Sequence, residues 1–198
     1  SMTILLGSTG FIGKAIQEEL YRKKIAVRGL SRKDVNLLLP RSKDFLSRIL
    51  SKEDILIITA AINREFGDNF KTMQDNIKMI ANVAAALEVK SIKKCIYLST
   101  ADVYGIPQKL PITESLPIAP QTYYAAAKFC CESLIRVSAQ KANIPFLIFR
   151  YNGVFGPGQR EFGYGANFFI KSILTKGIVR IWGDGEELRD SLFVRDLA

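Results

Sequence analysis

The stretch Ile4-Leu5-Leu6-Gly7-Ser8-Thr9-Gly10-Phe11-Ile12-Gly13 decides the fold of this chain. Its apolar start predicts a buried strand, its glycines predict a tight turn, and a helix follows from about Phe11. Glycine at these positions lets the turn close, lets backbone N–H groups approach a pyrophosphate, and lets the helix pack on the strand. Since a helix N-terminus carries a partial positive charge, a dinucleotide is predicted to bind at Gly7, Thr9, Gly10, Phe11, Ile12 and Gly13. The same turn would also serve as a plain strand-to-helix connection, so the motif alone does not decide function.

Strands and helices alternate along residues 1–151. Apolar runs predict strands over residues 3–6, 25–30, 54–60, 94–99 and 145–151. The segments between them predict helices over residues 11–22, 42–50, 68–87 and 122–141. This alternation predicts an α/β fold, a doubly wound parallel (Rossmann) sheet with helices on both faces. We therefore expect residues 1–151 to form a dinucleotide-binding domain.

The composition changes after Tyr151, where glycines become frequent. A helix is predicted near residues 167–176, a strand over 179–182, and the start of another helix at 196–198. We expect residues 152–198 to form the beginning of a small C-terminal substrate-binding region, truncated at Ala198.

Composition limits the classes of function. The chain has 198 residues, 48% hydrophobic residues and a net charge of +9, with the basic residues scattered along it. A solvated basic surface that favours anionic ligands explains this charge. Nucleic-acid binding is the alternative, but no nucleic-acid partner is predicted, because the sequence has no recognisable reader motif. There is no histidine, and the three cysteines have no metal-site spacing, so no metal is predicted. No apolar run reaches the roughly 18 residues of a membrane span, so we expect a cytoplasmic protein without membrane contact.

A second motif, Tyr124-Ala125-Ala126-Ala127-Lys128, indicates chemistry. Residues four apart share one face of a helix. An ammonium close to a phenol favours the ionised phenol, so the pair can act as a general acid–base without histidine. Thr100 follows a predicted strand end, where it could orient the reacting oxygen. The structural alternatives are a buried ring beside a solvated lysine, and a hydroxyl that caps the strand end.

Together these segments resemble an extended short-chain dehydrogenase/reductase, most closely the nucleotide-sugar epimerase/dehydratase family. The resemblance rests on the glycine turn, on Leu98-Ser99-Thr100 with Val103-Tyr104-Gly105, and on Tyr124-x-x-x-Lys128. It continues through Arg150, Val154-Phe155-Gly156-Pro157, Asn167, Gly183-Asp184-Gly185, Arg189-Asp190, Val194 and Asp196-Leu197.

The resemblance implies an NAD(P)-dependent enzyme that transfers hydride at a carbon of a nucleotide sugar, by epimerisation or keto reduction. Thr100, Tyr124 and Lys128 are then the catalytic residues, and the protein is a homodimer. The cofactor-binding set extends from the glycine turn to Ser31, Arg32, Ala60, Ala61, Asn76, Tyr124 and Lys128. The implied substrate-binding residues are Asp102, Asn152, Asn167 and Arg189. A non-catalytic NADP(H)-binding sensor that acts through a partner is the alternative.

Two segments depart from the family pattern. The sugar 4,6-dehydratases carry two acids directly after the threonine, whereas this chain has Ala101 and Asp102, which weakens the dehydratase interpretation. Many members also carry an asparagine three residues after the arginine that matches Arg150, a position held here by Gly153, with Asn152 beside it. Substrate contacts at that segment are therefore open.

The end of the second predicted strand bears on the choice of cofactor. NAD-binding folds commonly place an acid there to accept the adenosine ribose hydroxyls. This chain has Ser31-Arg32-Lys33, whose cations suit a 2′-phosphate. We therefore expect NADP in preference to NAD. Exposed turn cations with no ligand are the alternative.

Overall fold

Five parallel strands form the central sheet of the protein, as described by a computed structural model for residues 1–106, 109–159, 165–181, 183–186 and 188–198. The strands are β1 (Thr3–Leu6), β2 (Val27–Leu30), β3 (Ile55–Ile58), β4 (Lys94–Thr100) and β5 (Phe146–Tyr151). They pair in the order β2-β1-β3-β4-β5. The direction of strand order therefore reverses between β1 and β3, which is where open α/β sheets bind ligands at their carboxyl ends.

Helices cover both faces of this sheet. They are α1 (Phe11–Arg22), α2 (Arg41–Ile49), α3 (Phe70–Val89) and α4 (Tyr123–Lys141). Two short 3-10 helices, Arg64–Phe66 and Ala101–Tyr104, follow β3 and β4. The predicted doubly wound parallel sheet is thus confirmed.

The two hydrophobic cores follow from the alternation of side chains along each strand. On β1, Ile4 and Leu6 pack into the larger core, which α2, α3 and α4 cover. Leu5, between them, packs into the smaller core with Ile16 of α1. Burial on both faces explains why these strands are continuous apolar runs.

The chain after β5 forms a separate two-stranded parallel sheet, of β6 (Val154–Phe155) and β7 (Leu192–Phe193). Helix α5 (Ala166–Lys176) lies between them in sequence, and α6 (Val194–Leu197) follows β7. Leu197 of α6 packs against the smaller core beside α1. The end of the chain thus contacts the large sheet, and a domain boundary at residue 151 stays a prediction.

Most predicted elements agree with the structure to within two residues. The second strand starts at Val27 instead of 25, because Lys24 has a positive φ of 57° and the Ile25 N–H bonds to the end of α1. The strand predicted over 179–182 is wrong for residues 179–181, which are irregular, and Trp182 lies outside the described residues. Within the described part of the chain, no helix is both long and apolar enough to cross a membrane.

Candidate active site

A cavity of about 490 Å³ opens at the carboxyl ends of the strands. This volume is in the range of small-molecule and cofactor sites. Every predicted cofactor-binding residue except Asn76 lines it: Gly7, Thr9, Gly10, Phe11, Ile12, Gly13, Ser31, Arg32, Ala60, Ala61, Tyr124 and Lys128. The structure therefore brings the glycine turn and the Tyr-x-x-x-Lys motif, more than 100 residues apart in sequence, to one cavity.

The glycines of the first turn let three backbone segments meet. Gly7 has a φ of +89°, and a Cβ added there would lie 2.7 Å from the backbone nitrogen of Ala60. A Cβ at Gly13 would lie 2.1 Å from the carbonyl oxygen of Gly7. Neither contact is tolerated by real side chains, so the cradle requires glycine at both positions. This close approach is the geometry that a dinucleotide pyrophosphate needs.

The N-terminus of α1 suits an anion. Gly10 is the N-cap residue, no side chain caps the helix, and its first turn has no acidic residue. By contrast, α3 begins with a capping box between Asn69 and Thr72, and the Thr122 side chain caps α4. The first N–H groups of α1 are thus left to a ligand in the cavity, so the residues present fit a dinucleotide.

Asn76 lies behind the cavity wall. Its side chain is buried on α3, where Oδ1 accepts the Ile62 N–H at 2.8 Å and Nδ2 donates to the Ile62 carbonyl at 3.0 Å. This pair of bonds fixes the loop after β3, and Ala60, Ala61 and Ile62 of that loop line the cavity. Asn76 was predicted to bind the cofactor, but it does not line the cavity and acts on it through this loop.

The turn that follows β2 contains an acid, Asp34, that binds Ser31. Asp34 Oδ2 accepts hydrogen bonds from the Ser31 N–H at 2.8 Å and the Ser31 hydroxyl at 2.6 Å. These bonds lower the pKa of Asp34. Arg32 lines the cavity between the two residues in sequence. This end of the cavity therefore combines the Arg32 guanidinium with a turn that the hydrogen bonds between Asp34 and Ser31 stabilise.

Lys128 is buried between α4 and β4, with 3% of its surface exposed. Its Nζ donates to the Leu98 carbonyl at 2.5 Å and lies 4.3 Å from the centre of the Tyr97 ring. Burial lowers the pKa of Lys128 to about 8, and the nearby Cys131 and Glu132 limit the decrease. The solvated lysine considered as an alternative is thus wrong.

Tyr124 lies on the cavity wall in the first turn of α4. Its N–H donates to Asp68 Oδ1 at 2.9 Å, which joins the start of α4 to the segment before α3. Burial raises the pKa of its phenol well above the usual value, Tyr151 and Asp102 add to the increase, and the Arg64 guanidinium opposes it. The phenol is therefore protonated at neutral pH. The sequence predicted that Lys128 lowers the pKa of Tyr124, but the Lys128 ammonium is directed to the Leu98 carbonyl instead.

Thr100 ends β4 and is buried. Its Oγ1 accepts the Asp102 N–H at 3.1 Å and so caps the following 3-10 helix. A capping hydroxyl is the structural role that the sequence left open for Thr100. The hydroxyl is the acceptor in this bond, so its own hydrogen is not used by it. The cap therefore leaves that hydrogen available, but Thr100 itself is not among the residues that line the cavity.

The four predicted substrate-binding residues are not among the residues that line the cavity. Asp102 forms an ion pair with Arg64 at 3.5 Å. Asn167 is the second residue of α5, and its Nδ2 donates to the Gly156 carbonyl at 3.0 Å and to Gln159 Oε1 at 2.7 Å, so it binds the segment directly after β6. Asn152 and Arg189 are exposed.

A buried polar network that was not predicted from the sequence lies next to the Tyr124-x-x-x-Lys128 motif. Glu132 is fully buried and accepts hydrogen bonds from Ser99 and from Arg150, whose Nη2 lies 2.7 Å from Glu132 Oε2. Arg150 Nη1 also donates to the Tyr104 hydroxyl at 2.6 Å. The signal available in the sequence was spacing, because Glu132 follows Lys128 by four residues and so shares its helix face.

The described residues hold no cluster of three or more His, Cys, Asp or Glu side chains suited to a metal ion. The cysteines are free thiols: Cys95 is buried on β4, and Cys130 and Cys131 lie on α4. Burial raises the pKa of Cys131 to about 11 and that of Cys95 to about 12. The Cys95 and Cys131 thiols are therefore protonated at neutral pH and pack as small apolar groups.

Two curated proteins similar to this chain are UDP-glucose epimerases by name. An uncharacterized UDP-glucose epimerase of Bacillus subtilis is 29% identical over 219 residues, which cover 98% of this chain and 69% of that protein. A putative UDP-glucose 4-epimerase of Methanocaldococcus jannaschii is 28% identical over 216 residues, which cover 100% of this chain and 71% of that protein. The chain thus spans about 70% of the length of these relatives.

Solved structures with the same fold include an epimerase and a dehydratase. A UDP-N-acetylglucosamine 4-epimerase from Methanobrevibacter ruminantium, in complex with UDP-N-acetylmuramic acid, superposes with a TM-score of 0.83 at 27% identity, over 99% of this chain and 70% of that one. An NAD-dependent NDP-hexosamine 5,6-dehydratase of tunicamycin biosynthesis gives a TM-score of 0.80 at 27% identity, over 100% of this chain and 69% of that one.

A family model tests the resemblance directly. The model of the NAD dependent epimerase/dehydratase family matches residues 3–198, which is nearly the whole chain. The match includes both the cavity of the large sheet and the segments that follow β5. Dinucleotide binding by this cavity agrees with the family description, although a preference for NADP does not follow from it. The chain belongs to the NAD dependent epimerase/dehydratase family.

Proposed function

We propose that this protein interconverts nucleotide sugars that differ in configuration at one sugar carbon, with UDP-sugars as substrates and NAD or NADP as bound cofactor. One observation carries the proposal: Tyr124 and Lys128 stand on the wall of the same cavity that the glycine turn forms. The names of the relatives, which include UDP-glucose and UDP-N-acetylglucosamine 4-epimerases, support the substrate class.

Tyr124 is the general acid–base of this proposal. It removes the proton from the sugar hydroxyl as the adjoining carbon is oxidised, and it returns the proton when the carbonyl is reduced. The bound cofactor supplies the acceptor and the donor of the hydride at that carbon. Burial holds the phenol protonated in the chain alone, so Tyr124 is ready in its acid form. A positive charge close to it is needed to favour the phenolate in the oxidative direction.

Lys128 and Thr100 assist in different ways. The Lys128 ammonium, with a pKa of about 8, is mostly charged at neutral pH and contributes that positive charge. Since it also lines the cavity, it can hold a ribose hydroxyl of the cofactor. The Thr100 hydroxyl, whose hydrogen the Asp102 bond leaves available, donates to the sugar oxygen and orients it for Tyr124.

The cofactor preference is a separate part of the proposal. Arg32 at the cavity lining supports NADP, because a guanidinium binds a 2′-phosphate well. Asp34 opposes NADP binding, because a carboxylate repels a 2′-phosphate and hydrogen bonds from Ser31 keep this one after the same strand. We retain the prediction of NADP on the basis of Arg32, whose side chain lines the cavity.

Epimerisation is favoured over dehydration because Ala101 supplies no acid for the departing hydroxyl. Keto reduction would use the same residues in the reductive direction only. A non-catalytic sensor gains no support from the relatives described above, which are named as enzymes. The proposed substrate contacts of Asp102, Asn152, Asn167 and Arg189, the homodimer and the cytoplasmic location stay predictions from the family resemblance.

A conversion assay tests the proposed function. The purified protein is incubated with NAD or NADP and with UDP-glucose or UDP-N-acetylglucosamine in separate reactions, and the nucleotide sugars are then separated by chromatography. We expect one sugar to give its 4-epimer without net consumption of cofactor. Conversion that requires stoichiometric NADPH would instead identify a keto reductase. A protein that binds the cofactor yet converts no nucleotide sugar would contradict the proposal.

A further inference from the structure

Two side chains of α4, one helical turn apart, bind consecutive residues at the end of β4. Lys128 donates to the Leu98 carbonyl at 2.5 Å. Glu132 accepts a hydrogen bond from the Ser99 hydroxyl. Thr100, the next residue of β4, is the one proposed to orient the substrate oxygen. The two bonds therefore fix the register of α4 against the strand end that carries Thr100.

Glu132 is held in this position from a third element. It has no exposed surface, and its carboxylate receives the Arg150 guanidinium from β5 through Nε at 3.0 Å and Nη2 at 2.7 Å. Arg150 in turn donates to Tyr104 at 2.6 Å, in the 3-10 helix after β4. One continuous network thus connects α4, β4, β5 and that 3-10 helix.

Stability alone is a poor reason for such a network. The desolvation of a buried carboxylate and a guanidinium is costly, and well-packed apolar side chains would commonly hold the same elements together as well or better. What a buried ion pair provides and apolar contacts do not is directional geometry, since each bond fixes an angle as well as a distance. The network is placed where that precision matters, directly behind the residues of the motif.

The spacing along α4 indicates that Glu132 orients Tyr124 and Lys128. Tyr124, Lys128 and Glu132 follow one another at intervals of four and so share one face of the helix. The first turn of this face is joined to Asp68 through the Tyr124 N–H. Glu132 provides the fixed point two turns later. The direction of the helix between these points sets the position of the Tyr124 and Lys128 side chains.

We propose that Glu132 is a positioning residue, which fixes α4 on the end of β4 so that Tyr124, Lys128 and Thr100 keep their mutual geometry. The proposal rests on the proposed function for its catalytic consequence. Its geometric part, the control of Lys128 by Glu132, does not depend on which nucleotide sugar reacts.

The electrostatic surroundings of Lys128 provide a readout of that control. Burial lowers the pKa of Lys128 to about 8, while Glu132 and Cys131 oppose the decrease. Removal of the Glu132 charge should therefore lower the pKa of Lys128 further. The titratable and charged groups around this site are Tyr97 on β4, Tyr104 after β4, Tyr124, Cys131 and Glu132 on α4, and Arg150 and Tyr151 on β5.

The test uses the Glu132→Gln variant, which keeps the size of the side chain and an acceptor oxygen but removes the charge. The matched control is Glu88→Gln. Glu88 also accepts a serine hydroxyl of α4, from Ser138 at 2.8 Å, and pairs with Lys141 at 3.6 Å, but it lies at the far end of α3. Both substitutions remove the charge of a carboxylate that accepts a serine hydroxyl between α4 and a neighbouring element, and only Glu132 binds the end of β4.

Three quantities are measured for each variant: kcat and KM with the nucleotide sugar, the affinity for the dinucleotide, and the pKa of Lys128 from its side-chain NMR signal. We expect Glu132→Gln to lower kcat by a factor of about 10 to 100. We expect KM and dinucleotide affinity to change by less than about threefold, since the cavity lining is kept. The Lys128 pKa should fall, and Glu88→Gln should leave kcat and that pKa unchanged.

Unchanged kcat and an unchanged Lys128 pKa in Glu132→Gln would overturn the proposal. Equal losses in Glu132→Gln and Glu88→Gln would also overturn it, because they would indicate a general loss of stability. If Glu132→Gln does not fold, Ser99→Ala removes the bond to β4 and keeps the ion pair. The same fall in kcat is then expected, and wild-type kcat would be contradictory. A wild-type protein that turns over no sugar refutes the proposed function, while the NMR titration still decides the role of Glu132.

Discussion

The Lys128 ammonium donates to the Leu98 carbonyl at 2.5 Å, so the cation at the centre of the site is bound by the backbone of β4. The face of the Tyr97 ring, 4.3 Å away, provides a second favourable contact. A carbonyl and a ring stabilise the charge without neutralising it. Lys128 can therefore act on a neighbouring phenol or ribose, which a lysine in a direct ion pair would do less well.

The buried lysine predicts a pH dependence of stability. The pKa of Lys128 is about 8 in the folded protein, compared with 10.5 for an ordinary lysine. Between these values the unfolded chain binds more protons, so the contribution of Lys128 to the free energy of unfolding rises with pH. Below pH 8 both states are protonated and the cost of burying the charge is fully present.

Cys131 titrates in the opposite sense, because burial raises its pKa to about 11 and the unfolded chain ionises first. The measurement is therefore a difference between wild type and Lys128→Met, by urea unfolding under reducing conditions at pH 7.5, 9 and 10.5. We expect wild type to gain about 1 to 3 kcal/mol relative to the variant across this range. Lys141→Met, on the exposed end of α4, serves as control. A pH-independent difference would contradict the buried, charged lysine.

The glycine cradle predicts unequal effects of two similar substitutions. The added Cβ of Gly13→Ala would lie 2.1 Å from the Gly7 carbonyl oxygen, so the turn must move. We expect a loss of about 1 to 3 kcal/mol in the free energy of unfolding, together with weaker dinucleotide binding. In Gly10→Ala the new Cβ lies 3.3 Å from the same oxygen and φ is −72°, so the loss should be under about 1 kcal/mol. Thermal unfolding and a dinucleotide titration measure both effects, and equal losses would argue against the cradle.

Local patterns predicted the fold well because they act over short distances. The apolar runs of β1, β3 and β4 and the first glycine turn identify a parallel sheet before any contact is known. The same patterns placed Tyr124 and Lys128 on one helix face. Element ends were less accurate, as the left-handed Lys24 illustrates, since one backbone torsion decides where β2 starts.

Contacts between distant segments could not be predicted in this way. Glu132 has the spacing of an ordinary helix-face residue, and only the packing of α4 on β4 and β5 reveals Ser99 and Arg150 as its partners. The pKa of Tyr124 was expected to be lowered by Lys128. It is raised because burial dominates and the ammonium points to Leu98. Burial and direction are tertiary properties, which spacing along one helix does not contain.

The cofactor preference can be tested at Arg32. If its guanidinium binds a 2′-phosphate, Arg32→Ala should weaken NADP binding by a factor of about 10 or more and change NAD binding little. Arg48→Ala, on the exposed surface of α2, controls for the loss of one positive charge. Affinities are measured by titration calorimetry with each dinucleotide. Equal effects of Arg32→Ala on NADP and NAD would contradict binding of the 2′-phosphate by Arg32.

The most direct test compares turnover and cofactor binding in Tyr124→Phe. This change removes one hydroxyl from the cavity wall, and Tyr123→Phe removes the same group from the neighbouring residue, whose surface is 47% exposed. We expect Tyr124→Phe to lower kcat for the nucleotide sugar by a factor of about 100 or more while the dissociation constant for the dinucleotide stays within about threefold. Tyr123→Phe should match wild type in both measurements. Near-wild-type turnover by Tyr124→Phe, or a parallel loss of dinucleotide binding, would contradict its role as the acid–base.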